Sequence, residues 1–476
     1  MAISGGMTSP RIHSFGDDAL GEHDAVALAQ LVRDGQVSPV ELADAAIARI
    51  RLVDPALNAI AADLFDAPRF ASADVAARGA LAGVPTLIKD NTDVEGVPTN
   101  HGSEAFSARP ARRDGAYTAQ YLSTGMTLLG KSRMPEFGFN ATTEFRTGEP
   151  TRNPWRADHS VGASSGGSAA LVAAGAVPIA HANDGGGSIR IPAACAGLVG
   201  LKCSRGRHVD GEQARRLPIN MVSEGVLTRT VRDTAAFVAA AEDHWRNPKL
   251  PPIGLVHGPA RRRLRVGVVV EPVTRAPVDE PTRAAVERVA ALLEDAGHVV
   301  EPIEIAVDPR FPDDFVQYWA LLADLATSTG KLTFDRSFDR RMTDGLTAGL
   351  RSHHRRRLGR TPGAIRRLRR VAGDWATMFA RHELVLSPVL AHATPPLGFL
   401  APGVPFDQLI DRLVQWVSYT PVDNIAGTPA ISLPLGTSDG GLPVGVHLSA
   451  AHGDERTLLE TAFALEEAAP FERIYA

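Results

Sequence analysis

Apolar and polar positions alternate along this chain in blocks that change period several times. Residues 24–62 read as helices. In SPVELADAAIARI, Ser38 suits an N-cap, Pro39 suits the first helical turn, and Glu41 stands where a capping box needs an acid. The short apolar run LAGVPTLIKDN (81–91) predicts a buried strand that passes into a loop. GMTLLGKSRMPEFGF (125–139) predicts a second one, which breaks into a Pro/Gly turn. SAALVAAGAVPIAHAND (168–184) starts as an alanine-rich helix that Gly175 and Pro178 stop, after which VPIAHA reads as a strand. SIRIPAACAGLVGLK begins another helix directly after three glycines.

Residues 243–263 are proline-rich and read as a connection. A strand (264–270) and a helix (282–296) follow, then a helical and loop region over 310–380 whose elements the pattern does not delimit. The runs at 383–390 and 430–436 and the stretch LPVGVHLSA read as strands, with a terminal helix over 454–469. Strands alternate with helices at both ends of the chain. The expectation is an α/β architecture with helices on both faces of one sheet.

Composition changes this picture little. The chain has 476 residues, 44% hydrophobic and 22% charged, with a net charge of −4. That balance argues against general nucleic-acid affinity and against a disordered chain. No apolar run reaches the ~20 residues a membrane span requires, so no stable membrane insertion is expected. The opening MAISGGMTSPRIHSFGDDALGEHD has neither the basic nor the apolar region of a secretory signal. Cys195 and Cys203 make no disulfide framework and fit no metal spacing, which points to the cytoplasm. The segment 351–370 holds nine arginines, two histidines and no acid. Its Ile365, Leu368 and Ala372 would share a helical face, so a solvated amphipathic helix is expected. A weak contact with an anionic surface is the other reading.

The chemistry concentrates in three places. Gly185, Gly186 and Gly187 precede Ser188, a run that serves either as a surface turn or as a bare backbone around a nucleophile. Successive N–H groups of residues 185–188, with a helix starting just beyond, would suit the oxyanion of acyl transfer. GASSGGS (162–168) opens the alanine-rich helix and carries Ser164, Ser165 and Ser168. It reads as an N-cap or a phosphate cradle, but the lysine of GxxxxGK[ST] is missing, and no G-x-S-x-G elbow exists. Lys89 follows apolar residues in VPTLIKDN, either as a strand-end lysine reaching for water or as a buried amine able to act as a base.

Taken with GVPTLIKDNTDVEGVPT, GKSRMPEFGF, TRNPW and GTPAISLPLGTSDGGLPVGVHL, these segments resemble the amidase signature family over residues 25–470. The resemblance implies one domain over 1–476, a large α/β/α sandwich whose central mixed β-sheet is covered by helices on both faces. Its parts would be N-terminal helices (1–65), a catalytic core (66–240), a helical and cap region (241–382), and C-terminal strands with a helix (383–476). It implies a serine hydrolase of amides in which Ser188 is the nucleophile, Ser164 a bridging serine after a cis peptide bond, and Lys89 the base. The N–H groups of Gly185, Gly186, Gly187 and Ser188 would form the oxyanion hole. Ser165 and Arg190 match bracing positions, while an ion pair of Arg190 with Asp184 and a loop-holding role for Asp184 stay open. Cys195 reads as a packed core thiol, and Cys203 stands where the family usually has a proline.

No cofactor or metal is expected, because such a triad needs none, and the partner is a small-molecule amide. A homodimer is left open. Three other functions compete. A glutamine-hydrolysing subunit of a tRNA-dependent amidotransferase would carry a Ser-Asp-Gln stretch, which RRLPINMVSEGVLTRTVRD lacks. A hydrolase of cyclic amino-acid dimers looks similar, and a non-catalytic phosphate-binding module would leave Ser188 unreactive. The pocket is expected to draw on residues 100–145 and 310–425.

Overall fold

The computed structural model describes residues 11–212 and 214–475, so the first ten residues of the opening stretch, expected to carry no secretory signal, lie outside the described residues. The expected capping box forms. Ser38 Oγ accepts from the Glu41 N–H and the Glu41 carboxylate accepts from the Ser38 N–H, starting the helix Pro39–Leu57. Each later element that the apolar pattern marked is found within a few residues of its expected place.

The described strands are β1 (Ile60–Asp63), β2 (Pro85–Lys89), β3 (Thr127–Ser132), β4 (Ile179–Asp184), β5 (Val199–Lys202) and β6 (Ser223–Thr228). They continue with β7 (Arg265–Val268), β8 (Val299–Pro302), β9 (Leu384–Pro388), β10 (Ala430–Thr437) and β11 (Pro443–Ala450). Eight of them form a mixed sheet in the order β4-β6-β5-β10-β11-β9-β7-β8. The pairings from β4 to β9 are antiparallel, and β9, β7 and β8 run parallel. Helices Val231–His244, Glu280–Asp295 and Glu455–Ala468 pack on this sheet and on one another, and the short helix Arg190–Ala196 packs on β5, β10 and β11. Every residue of β11, and all of β10 but its last, is buried, which places the hydrophobic core on both faces of the sheet.

One expectation needs correction. The N-terminal strands do not join the large sheet by backbone pairing but form a separate sheet, β1-β3-β2. β2 nevertheless lies beside β4, and side chains bridge the seam. Thr86 Oγ1 donates to the Ile179 carbonyl at 2.9 Å, and the Lys89 N–H donates to His181 Nδ1 at 3.1 Å. An imidazole thus accepts the Lys89 N–H where a strand carbonyl would accept it in a paired ladder.

β6 gives little sequence signal, because SEGVLT is half polar although all six residues are buried. The region 310–380 resolves into helices Phe311–Thr333, Gly345–Arg356 and Thr361–Ala376. The buried stripe of the arginine-rich helix runs through Ala364, Leu368, Val371 and Trp375, whereas Ala372 is exposed. The segment 351–370, expected as one helix, is thus split between Gly345–Arg356 and Thr361–Ala376, and the buried stripe of the second keeps Leu368 while Ala364, Val371 and Trp375 stand in place of Ile365 and Ala372.

Candidate active site

β2 and β4 end at the same place, and their last residues are Lys89 and Asp184. Lys89 is fully buried. Its Nζ lies 2.7 Å from Ser164 Oγ and 2.7 Å from Asn183 Oδ1. Burial pulls its pKa down to about 7, against the opposing pull of the Glu224 and Asp184 charges. Asp90, its sequence neighbour, is occupied by Lys131 at 2.9 Å. An amine here is therefore largely neutral at slightly alkaline pH, with a lone pair available to Ser164.

Ser164 stands two residues before the helix Gly166–Ala173, and the peptide bond joining it to Ala163 is cis, as expected. Ser165 Oγ donates to the Asn183 carbonyl at 3.3 Å, which ties the serine loop to β4. Ser188 follows β4 across the glycine turn, two residues ahead of the helix Arg190–Ala196. Ser164 and Ser188 both line one cavity of about 960 Å³, together with Asn183, Gly185 and Gly186.

Asp184 holds the turn. Its carboxylate accepts from the N–H of Gly187 at 2.6 Å and of Ile189 at 3.2 Å, and from Arg190 Nε at 2.9 Å. Burial pushes its pKa up, but the Arg190 charge and hydrogen bonds outweigh that and hold it well below the carboxylate range. The ion pair with Arg190 and the loop-holding hydrogen bonds of Asp184 are therefore both present. Arg190 also donates to the Thr420 carbonyl (2.9 Å), Asn424 Oδ1 (2.7 Å) and Asp423 Oδ2 (3.3 Å), fastening the turn to the helix Pro421–Ala426.

The fourfold oxyanion hole expected from residues 185–188 is corrected at one position. The Gly187 N–H donates to Asp184 Oδ1 at 2.6 Å and so is not open to a fourth role beside those expected of Gly185, Gly186 and Ser188. Gly187 has another task. Its φ of +132°, and the contacts a Cβ would make with Thr420 Oγ1 and Ile191 Cδ1, require a residue without a side chain. Thr420 Oγ1 meanwhile donates to the Gly186 carbonyl at 2.7 Å, which turns that peptide's N–H the opposite way.

The cavity walls draw on the expected segments 100–145 and 310–425, with Phe137, Phe139, Phe315, Trp319 and Leu413 among them. They also include residues 211–224, a contribution the sequence did not suggest. Asn183, His181, Glu224, Thr420 and Asn424 were missed as site residues. His181 and Asn183 had a local signal, as polar residues within or directly after the apolar strand VPIAHA. Cys195 and Cys203 are free and buried, and burial pushes the Cys195 thiol up to about 12, so it is a packed core group. No helix among the described residues is long and apolar enough to cross a membrane.

The Amidase family model matches residues 41–459. The chain is 52% identical over 465 residues to "Putative amidase AmiC" of Mycobacterium leprae, covering 98% of this chain and 99% of that protein. It is 34% identical to the 6-aminohexanoate-cyclic-dimer hydrolase of Paenarthrobacter ureafaciens, covering 94% and 95% of the two. Among solved structures, a 6-aminohexanoate cyclic dimer hydrolase superposes with a TM-score of 0.86 at 31% identity, over 97% of this chain and 99% of that one. A bacterial aryl acylamidase of the amidase signature family gives 0.82 at 27% identity, over 95% and 97%.

Proposed function

The chain belongs to the Amidase family and hydrolyses amides, and from that premise we propose that it works through an acyl-enzyme on Ser188. Ser188 Oγ attacks the amide carbon while its proton passes to Ser164 Oγ, and the Ser164 proton passes to Lys89 Nζ. The N–H groups of Gly185, Gly186 and Ser188 hold the oxyanion, each donor contributing ~3–4 kcal/mol in comparable sites. On collapse the relay returns its proton to the nitrogen, which leaves as ammonia or an amine. A water molecule, deprotonated by the same relay, then releases the acid and restores Ser188.

The observation that carries this reading is the 2.7 Å contact of a fully buried Lys89 Nζ with Ser164 Oγ. Serine needs a base, and only the neutral amine can supply one. Protonated Lys89 predominates below its pKa of about 7, so kcat/KM should fall towards acid and level off above neutrality. A profile flat from pH 5 to 9 would overturn the reading.

For the substrate, we assign linear amides with apolar groups. Phe137, Phe315, Trp319 and Leu413 offer apolar surface within a cavity of about 960 Å³, near the upper end of small-molecule sites. That volume also favours one second reading, a cyclic amino-acid dimer, in line with the relative of that activity. Leu217, Met221 and Val222 line the wall after the nucleophile and suit the charged end of glutamine poorly, which supports a free amidase over a glutamine-hydrolysing subunit. Turnover of a panel of aliphatic and aromatic amides, glutamine and the 6-aminohexanoate cyclic dimer separates the three. Exclusive turnover of glutamine would contradict the assignment.

A further inference from the structure

Of the buried ionisable pairs that the described mechanism leaves unused, that of His181 and Glu224 touches Lys89, through His181. His181 sits on β4 with no exposed surface, its ring against Tyr117 and Tyr121 at centroid distances of 5.0 and 5.6 Å. Its Nδ1 accepts the Lys89 backbone N–H at 3.1 Å. That nitrogen therefore carries no proton, and the ring proton lies on Nε2, which donates to Glu224 Oε2 at 3.0 Å. A doubly protonated ring is incompatible with this arrangement, because two N–H groups would face each other. Burial also lowers the His181 pKa, in keeping with a neutral ring.

Glu224 is in turn placed by register. It stands directly opposite Asn183 in the β4–β6 pair, so the two side chains share a face of the sheet. Asn183 is the residue whose Oδ1 accepts from Lys89 Nζ. The lysine is thus gripped twice, its backbone by His181 and its amine by Asn183, and Glu224 lies beside both grips. Glu224 is only 7% exposed, and what remains exposed lines the catalytic cavity.

We propose that Glu224 and His181 are positioning residues for the catalytic base: Glu224 fixes the His181 tautomer, the imidazole holds the end of β2 against β4, and the Glu224 charge tunes the basicity of Lys89. This rests on the reading of Lys89 as the base. The geometry explains why the seam between the two sheets is closed by a side chain. A strand carbonyl at that place would hold Lys89 equally well but could not connect it to a charge. The other groups facing Lys89 leave Glu224 and Asp184 as its nearby anions. On the β3 side Lys131 is paired with Asp90, and burial lowers His101, in the loop after β2, to about 3. Asp184, at the end of β4, is neutralised by Arg190. Glu224 accepts from the neutral imidazole, with Tyr117 and Asp210 as its other titratable neighbours, and no cation pairs with it among the described residues, so its charge acts on the amine more directly than that of Asp184.

The test is the pH dependence of kcat/KM on a neutral linear amide for the parent and two variants. Glu224→Gln keeps an acceptor for the His181 Nε2–H but removes the charge. Its acid limb should move to lower pH by roughly one unit, the low end of what an opposite charge at close range causes. His181→Leu should lower kcat at every pH with KM little changed. If the Glu224→Gln profile superimposes on that of the parent, the proposal is wrong. It is equally wrong if the variant raises KM alone, because Glu224 would then act on substrate. A parent profile with no acid limb would instead remove the assignment of Lys89 as base, so the two failures are distinguishable.

Discussion

The floor of the cavity and its walls are built on opposite principles. The floor, where β2 and β4 end, is polar, rigid and saturated with hydrogen bonds. Asp184, Arg190, Asn183 and Lys89 are buried and each has several partners. The wall contributed by residues 310–425 is helical and apolar, and its side chains make few directed contacts. On the proposed mechanism the floor holds a base, a relay and an oxyanion and tolerates little displacement, since misplacement of about 1 Å can cost 100-fold. A wall that needs only shape and apolar surface can vary. Chemistry and selectivity are accordingly separable in this molecule, and substitutions in the two regions should differ in kind as well as in size.

The sharpest contrast comes from the nucleophile. Ser188→Ala should reduce kcat by roughly 10⁴-fold or more while the thermal transition stays close to that of the parent, as read by turnover and calorimetry. Retention of a tenth of the rate would break the comparison at its centre. Lys89→Ala should come next. It should be nearly inactive on amides yet less impaired on activated esters, whose leaving groups need no proton, and equal losses on both would make this lysine structural.

Arg190→Ala probes the rigidity of the floor. It leaves Asp184 charged and buried without its partner, so unfolding should become easier by about 3–5 kcal/mol in denaturant titration. Gly187→Ala should cost less, about 1–3 kcal/mol, because a side chain at φ +132° must displace Thr420 or Ile191. Its activity loss should appear in kcat, since the turn it distorts presents Ser188. The smallest effect belongs to the wall. Phe315→Ala should change kcat/KM by roughly tenfold for bulky amides and hardly at all for the smallest ones, within the range that pocket contacts discriminate. Uniform losses across the amide series would mean that the wall takes part in the chemistry.

The same contrast explains what could be read from the sequence. Ser188, Asp184 and Arg190 lie within seven residues of one another, and Lys89 ends an apolar strand, so local pattern and the family resemblance brought them out. The Gly187 N–H was misassigned because the sequence does not disclose which way a peptide faces; that depended on Asp184 Oδ1 at 2.6 Å. The roles of His181 and Glu224 were hidden for a related reason, since the His181 contact with Lys89 spans two sheets and Glu224 reaches the lysine backbone only through His181, with no sequence spacing between them. β6 went unnoticed because its polar residues are buried for this purpose, contrary to the usual composition of a central strand. The separate three-stranded sheet was missed on the same grounds: pairing partners are decided by tertiary contacts. The wall helices were legible only as a region, because each contributes a few residues and their order in sequence says nothing of their convergence.

The central claim is that Ser188 is the nucleophile, activated through Ser164 by Lys89. Its most direct test is labelling of the protein with a fluorophosphonate, followed by mass spectrometry of the intact chain and of its peptides. The account predicts one adduct per chain, located on Ser188, absent in Ser188→Ala and formed more slowly as pH falls below about 7. No adduct, or an adduct on Ser164 or Ser165 with Ser188 unmodified, would contradict it.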